Sequence, residues 1–516
     1  MRNSEYKPLL FTTTVRNPIR YKTLMETLFN FNNQILTNEI IDKVIFEIVA
    51  KKLYIPQYAR RNLRLKKLAD LEDVRFSDTD TADIIRNSPQ NHKEAGFDKG
   101  WPSRFDTFYK FAKELGFVYY EMGKPIEISE TGIYLAKSAE LEFEHLEQQM
   151  FLNAFVKYQR NNPFRRVLNA NKPLILLLKV IKQLGETDGK SKGISRLEIP
   201  LLLCWKDADA ANLVEHIKKI RKRYGVTPSS EVIYDECKNI LGLQADDEKR
   251  FKKSNILNEM PDDFIRKMRL TGLISLRGNG RFIDFNSLEI KKIRYVLDKY
   301  AGILSAFTTE REYYEYMRTV DTSLITIKAQ TISSKARKEK LFTKWLNCFD
   351  LITLKKELLI VCNNRLSSQD DVLKYISEPA RFEFLTALAL KKAYPLLRVS
   401  PNYNIDDEGL PTSFAQGGVA DIICCDDRGN ILFEVTLLTG TQQNIREMPA
   451  IARHLRECID IVPDSFSVLL CPHAHSDTLE YAEFIKSKYK VDIIVLETER
   501  FVDTLGVYVD AREYRS

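Results

Sequence analysis

Cysteine is scarce and scattered in this chain: of eight thiols only Cys424 and Cys425 are neighbours, and there is no C-x-x-C pair. That spacing speaks against a zinc ribbon and a disulfide framework, and it is the usage expected of a reducing cytoplasm. Long apolar runs are missing as well. No stretch approaches the ~18 apolar residues that a membrane span needs, and the N-terminal MRNSEYKPLLFTTTVRN has no long apolar segment of the signal-peptide kind. Familiar signatures are lacking too: no G-x-x-x-x-G-K-[ST], no G-x-G-x-x-G after a predicted strand, and no H-E-x-x-H. A P-loop motor, a dinucleotide fold and a zincin protease are thereby set aside. Charge of one sign is only mildly in excess, at +7 with 29% charged residues. Such a balance is compatible with nucleic acid without requiring it.

What is present starts with size. A chain of 516 residues, 44% of them hydrophobic, is too long for one core and implies about two to four domains. The most informative stretch is Gly418 to Leu455. Val419–Cys425 and Ile431–Leu438 are apolar, β-branched runs separated by Asp426-Asp427-Arg428-Gly429-Asn430, which predicts a β-hairpin. A turn centred near Asp427-Arg428 sets Asp421 opposite Glu434. Two carboxylates side by side in an otherwise apolar hairpin repel each other and call for a cation. Oxygen donors without a thiolate favour Mg²⁺.

A third acid, Glu447, follows Glu434 by 13 residues, the same interval that separates Glu434 from Asp421. The segment Thr441–Cys458 predicts a helix with Ile445, Met448, Ile451, Ala452 and Leu455 on one face. Glu447 and His454 share another face. Upstream, Glu378-Pro-Ala-Arg-Phe-Glu383 opens the apolar helix Ala380–Tyr394, so Glu383 is a fourth candidate acid. Helix, strand near Leu397–Tyr403, Asp-bearing hairpin, then Glu-bearing strand and helix is the layout of the PD-(D/E)xK nuclease core. The motif lysine is replaced: two residues after Glu434 stands Thr436.

These residues bring a family into view. The set Glu383, Asp421, Glu434 and Glu447, together with Leu9-Leu10-Phe11-Thr12-Thr13-Thr14-Val15-Arg16-Asn17-Pro18, resembles the AlwI family of type IIS restriction and nicking endonucleases. The resemblance spans most of the chain, with specific motifs at its two ends. It implies an Mg²⁺-dependent site-specific endonuclease of double-stranded DNA, cutting at a fixed distance outside an asymmetric site. The expected roles are metal binding by Asp421 and Glu434, a second metal position completed by Glu383, and water activation by Glu447 with His454 as helper. No methyltransferase signature occurs, so a modification partner would be a separate protein. A single acid set also implies a transient dimer or partner nuclease subunit for the second strand.

The expected architecture is multidomain. An α-rich, winged-helix-type DNA-recognition region spans 1–323, in units of about 1–150 and 151–323. A linker spans 324–345, and a C-terminal α/β restriction-endonuclease-like domain spans 346–516. Phe11–Thr14 is expected as a short strand, followed by helical patterns over Tyr21–Phe31 and Thr37–Leu53. Arg60–Lys67 is a basic stretch, read either as a solvated face or as a phosphate contact. The winged units are Trp101–Leu135 and Asp262–Asn286, each a helix followed by a hairpin. Between them His216–Tyr224 packs Lys218, Lys219, Arg221, Lys222 and Arg223 into six positions. Cations neutralise phosphates and a helix can enter a groove, so these five are DNA-binding candidates. Arg277, Asn279 and Arg281 of the second wing join them, although winged helices also serve as protein-binding modules. Leu346–Ile376 reads as helical and apolar. His473, His475 and Asp477 form a possible metal cluster, but Ser476 or Asp477 capping a helix Thr478–Lys488 is the stronger reading. Phe466–Cys471 and Val491–Leu496 are further strands. Two other functions compete: a DNA-binding regulator with a decayed nuclease domain, and a recombination or repair nuclease without sequence preference.

Overall fold

The computed structural model describes the chain except residues 1–3, 12–14, 16–19, 71–74, 138–145, 166, 189–192, 244–250, 303, 333, 364–365, 416–417 and 516. It divides into two compact units, one of residues 1–58 and 77–331 and one of residues 59–76 and 332–516. The division falls within the expected linker, much of which is helical: Thr322–Thr326 and Lys335–Cys348 are helices. Residues 59–76, placed in the recognition region by sequence order, group instead with the C-terminal unit.

The first unit is mostly helical. Helix Trp101–Glu114 buries Phe105, Phe108, Phe111 and Ala112, the face expected from their spacing, and ends at Gly116 with φ +76. Strands β1 (Val118–Tyr119) and β2 (Glu127–Ile128) then pair antiparallel. Further on, β3 (Ile194–Ser195), β4 (Ile274–Arg277) and β5 (Phe282–Phe285) form a sheet in the order β3-β5-β4. Helix Met260–Arg269 leads into β4. Phe11 lies outside any strand. It fills a core position instead, with ring centroids 5.2 Å from Phe111 and 5.8 Å from Tyr158. Thr12–Thr14 and Arg16-Asn17-Pro18 lie outside the described residues.

In the second unit the expected continuous apolar helix over 346–376 is interrupted. Helix Leu351–Val361 gives way to coil and a short 3₁₀ turn at Leu373–Tyr375 before helix Glu378–Ala393 begins. The last of these is buried at every position from Ala380 to Leu390. A small ribbon, β7 (Asn404–Ile405) with β8 (Pro411–Ser413), follows β6 (Arg398–Pro401). The main sheet has the order β12-β11-β10-β9-β6, with β9 at Ile422–Cys425, β10 at Asn430–Val435, β11 at Phe466–Cys471 and β12 at Ile493–Glu497. β6, β9 and β10 pair antiparallel, whereas β10, β11 and β12 are parallel. Parallel neighbours need crossovers. Helices Met448–Ile459 and Ser476–Tyr489 supply them and share one core with Leu432, Leu469 and Ile493. From the opposite face Phe501 and Tyr514 pack on Phe433 at 6.3 and 6.1 Å. Side chains alternate along a strand, so Glu434 emerges on the same face as Leu432, toward the crossover helix. Among the described residues no helix is long and apolar enough to cross a membrane.

Candidate active site

The hairpin that carries the first two acids has the register expected from its turn. Phe433 pairs with Ile422 and Ile431 with Cys424; one step further along the same register Glu434 faces Asp421. The ladder stops there because Asp421 Oδ2 accepts the Val435 N–H at 2.7 Å, so a carboxylate occupies the place of a backbone carbonyl. The turn at the other end is held by Arg512, whose Nε lies 2.7 Å from Asp426 Oδ2. Gly429 admits no side chain, since a Cβ would fall 2.0 Å from the Asp464 carbonyl oxygen.

Helix Glu378–Ala393 brings Glu383 to the same place. Its Oε2 accepts the Ala415 N–H at 2.9 Å, and its side chain is buried. Burial, with Glu434 and Glu447 adding repulsion, pushes the Glu383 carboxyl up to about 8. Asp421 is driven well above the usual carboxylate range by burial and by the charges of Glu383 and Glu434. Burial raises Glu447 as well, with Glu434 adding to the shift while the hydroxyl of Thr436 opposes it. No lysine or arginine pairs with Glu383, Asp421 or Glu434 among the described residues. Anions gathered in a low-dielectric site without a counter-charge are costly. Oxygen donors of this kind are those a hard divalent cation takes, although among the described residues no three acidic, histidine or cysteine side chains are gathered closely enough to enclose one.

Two further groups touch the acids. His454 Nδ1 lies 3.0 Å from Glu434 Oε1, and its Nε2 is buried without a hydrogen-bond partner among the described residues. The Thr436 hydroxyl, standing where the motif lysine would be, donates to Glu447 Oε1 at 3.0 Å and accepts the Leu438 N–H at 3.0 Å.

Glu447 ends a short stretch that departs from α-helical geometry. Gln443–Glu447 forms a π-turn, with the Met448 N–H bonded to the Gln443 carbonyl. Pro449 next in line has no N–H to continue an α-ladder. The extra residue turns Ile445 outward, 65% exposed, against the expectation that it shares the buried face of Met448, Ile451, Ala452 and Leu455. Gln443 is a site-border residue that sequence spacing does not disclose. It is fully buried, and its Nε2 donates to the Leu438 and His473 carbonyls at 2.9 and 2.7 Å. Its Oε1 accepts from the His475 N–H at 3.0 Å and the Thr478 hydroxyl at 3.3 Å. One side chain thus fastens the loop after β10 to the loop after β11.

The remaining candidates lie elsewhere. The helix Ser476–Tyr489 is capped by His475, whose Nδ1 accepts the Asp477 N–H at 3.2 Å; this corrects the expected cap at Ser476 or Asp477. In the first unit, helix Ala210–Tyr224 carries the five cations, but they are not equivalent. Arg221 is drawn onto buried Glu198, with Nε–Oε1 and Nη2–Oε2 both at 2.7 Å. Lys218 pairs with Glu215 at 2.8 Å, while Lys222 and Arg223 are exposed. At the wing, Asn279 adopts φ +55 between two glycines. Arg277 folds back on its own hairpin, donating to the Phe285 carbonyl at 2.9 Å, and Arg281 is exposed.

Comparison with known proteins adds the following. The chain has 25% identity to the small subunit of the heterodimeric restriction endonuclease R.BspD6I, over 30% of this chain and 80% of that one, with a TM-score of 0.25. It aligns with the restriction endonuclease FokI at 12% identity over 100% of this chain and 98% of that one, TM-score 0.25. With FokI bound to DNA the identity is 10% and the TM-score 0.24, at the same coverage. No curated protein matches. The model of the AlwI restriction endonuclease family matches residues 113–341 and 320–504. By that match the chain belongs to the AlwI restriction endonuclease family, and it is a site-specific DNA endonuclease.

Proposed function

We propose that this endonuclease is an Mg²⁺-dependent enzyme of the type IIS kind. The first unit reads a short asymmetric duplex sequence, and a PD-(D/E)xK-like second unit hydrolyses a phosphodiester at a fixed distance outside it. The observation that carries the reading is that Asp421 faces Glu434 across the open end of the β9–β10 hairpin, with Glu383 and Glu447 near enough to feel their charge and no lysine or arginine paired with Glu383, Asp421 or Glu434 among the described residues. Asp421 and Glu434 would hold the ion and Glu383 would complete a second position. A bound divalent ion supplies positive charge to the scissile phosphate and acidifies water. Glu447, presented by Thr436, orients or accepts a proton from the attacking water, and His454 fixes the Glu434 carboxylate. Recognition would use winged-helix-type units, for which the β3-β5-β4 sheet and the helix leading into β4 are the support. Lys219, Lys222, Arg223 and Arg281 are the cations best placed for phosphate or groove contacts.

Among the described residues one such acid set is found, and opposite strands run antiparallel. The enzyme therefore nicks first and completes a break through a transient second copy or a partner nuclease subunit, with a separate methyltransferase protecting the host site. Thr436 in place of lysine favours one rival, a DNA-binding regulator with a decayed nuclease unit. Plasmid digestion with Mg²⁺ separates the readings. Discrete fragments arising through an open-circle form support this one, intact plasmid supports the regulator, and a smear supports a nuclease without sequence preference.

A further inference from the structure

Helix Lys335–Cys348 has two halves of opposite character. Its C-terminal half is anchored. Trp345 is buried, its Nε1 donates to the Glu408 carbonyl at 2.8 Å, and its ring lies 6.5 Å from Phe384, the residue after Glu383. Gly409 permits this close seating, since a Cβ there would lie 2.8 Å from Leu341 Cβ. The N-terminal half, Lys335 to Lys340, is exposed throughout. Lys335, Arg337, Lys338 and Lys340 are all exposed, with Glu339 the one acid among them. The Lys335–Glu339 contact is long, 4.0 Å between side chains 87% and 67% exposed. Arg337, Lys338 and Lys340 have no acidic partner among the described residues.

Stability does not account for this arrangement. Lys335, Arg337 and Lys338 occupy the first helical turn, which contains no acid. At that end the macrodipole favours anions, so a cation there weakens the helix instead of adding to its stability. Arg337, Lys340 and Lys344 recur at helical spacing and form a stripe toward the anchor, where Lys344 pairs with Glu408. At 1.5 Å per residue the stripe begins about 12 Å from Trp345. The same unit contains a second exposed basic run, Arg60 to Lys67.

We propose that the Lys335–Lys340 half of this helix is a sequence-independent phosphate-binding surface of the cleavage unit, gripping duplex DNA next to the scissile bond. The proposal rests on the endonuclease reading above. The test uses the full-length protein with Lys335, Arg337, Lys338 and Lys340 all changed to glutamine, and Arg337→Gln alone as a milder variant. These side chains are exposed and three of them oppose the helix dipole, so the variants should melt no lower than wild type. Once plasmid cleavage has mapped the recognition sequence, affinity is measured in Ca²⁺ over a salt series. One duplex ends at the recognition sequence and the other extends past the cut position. The expected result is a loss confined to the long duplex, with the log–log salt slope reduced by about 0.9 for each phosphate contact removed. Unchanged affinity and slope on the long duplex would make the helix a solvated face and overturn the proposal. Equal losses on both duplexes would place these cations in sequence recognition, overturning it as well. Wild-type protein that yields no discrete fragments would instead overturn the endonuclease reading beneath it.

Discussion

In the absence of divalent metal, the second unit should become more stable as pH falls from about 8 to about 6, the reverse of ordinary acid sensitivity. Glu383 is the lever. In the unfolded chain it is ionised throughout this window, whereas burial and the neighbouring charges raise its folded value to about 8. The folded state therefore binds a proton that the unfolded state does not. The carboxyl is about half protonated at the upper end of the window, so stability rises by on the order of 2 kcal/mol between pH 8 and pH 6. For a unit of some 200 residues that is a gain of roughly 4–8 °C in melting temperature. Bound Mg²⁺ should flatten the dependence, because proton and metal compete for the same carboxylates. The assay is thermal unfolding in EDTA and in Mg²⁺ at both pH values, for wild type and Glu383→Gln. A wild-type slope equal to that of Glu383→Gln in EDTA, or a melting point that falls with acid, would refute the picture of a charge-crowded, metal-requiring site.

Asp421→Ala and Glu434→Ala should each lower plasmid cleavage by orders of magnitude while leaving duplex binding nearly intact; a residual rate above about a tenth of wild type would contradict their assignment. Arg221→Gln should destabilise the first unit by about 3–5 kcal/mol, because it strands buried Glu198, whereas Lys222→Gln and Arg223→Gln should leave the melting curve unchanged and weaken DNA binding. Chemical denaturation and a binding titration distinguish the two classes. Gln443→Ala should cost about 1–3 kcal/mol by leaving its loop partners unsatisfied, and isosteric Gln443→Glu should not restore the loss, since a carboxylate cannot donate to the Leu438 and His473 carbonyls. Arg512→Ala should matter most near neutral pH. Arg512 holds the Asp426 carboxyl below its usual range, so the contribution is present above the unfolded value of about 3.9 and fades as acid protonates Asp426; acid titrations of both proteins should converge.

The parts of this structure that the sequence announces are those built on short-range periodicity. The β9–β10 register follows from a five-residue polar turn between two apolar runs, and it places Asp421 against Glu434 without further information. The basic helix shows where that legibility ends. Arg221 is indistinguishable from Lys222 by composition, and only the fold brings Glu198 to it from 23 residues upstream. Helix Lys335–Cys348 reads as a linker because one anchored tryptophan, not an apolar stripe, holds it in place. β3 is two residues long and exists through its pairing with β5, so it leaves no local pattern. Ile445 misleads because helical periodicity assumes 3.6 residues per turn throughout, and the π-turn breaks that assumption one residue before the core face begins.

That π-turn also bears on how the chain can change length. Deleting a residue inside an ordinary helix rotates everything beyond it by about 100° and drives polar groups into the core. Between Gly440 and Glu447 the fold already carries one residue more than an α-helix needs. A single deletion here would close the bulge and leave Met448, Ile451, Ala452 and Leu455 facing the sheet, so the hydrophobic packing would survive. What would move is the side chain at 447, relative to Thr436 and the other acids. The segment therefore acts as an adjustable spacer. It lets insertions and deletions tune where the last carboxylate points while the scaffold that supports it stays in register.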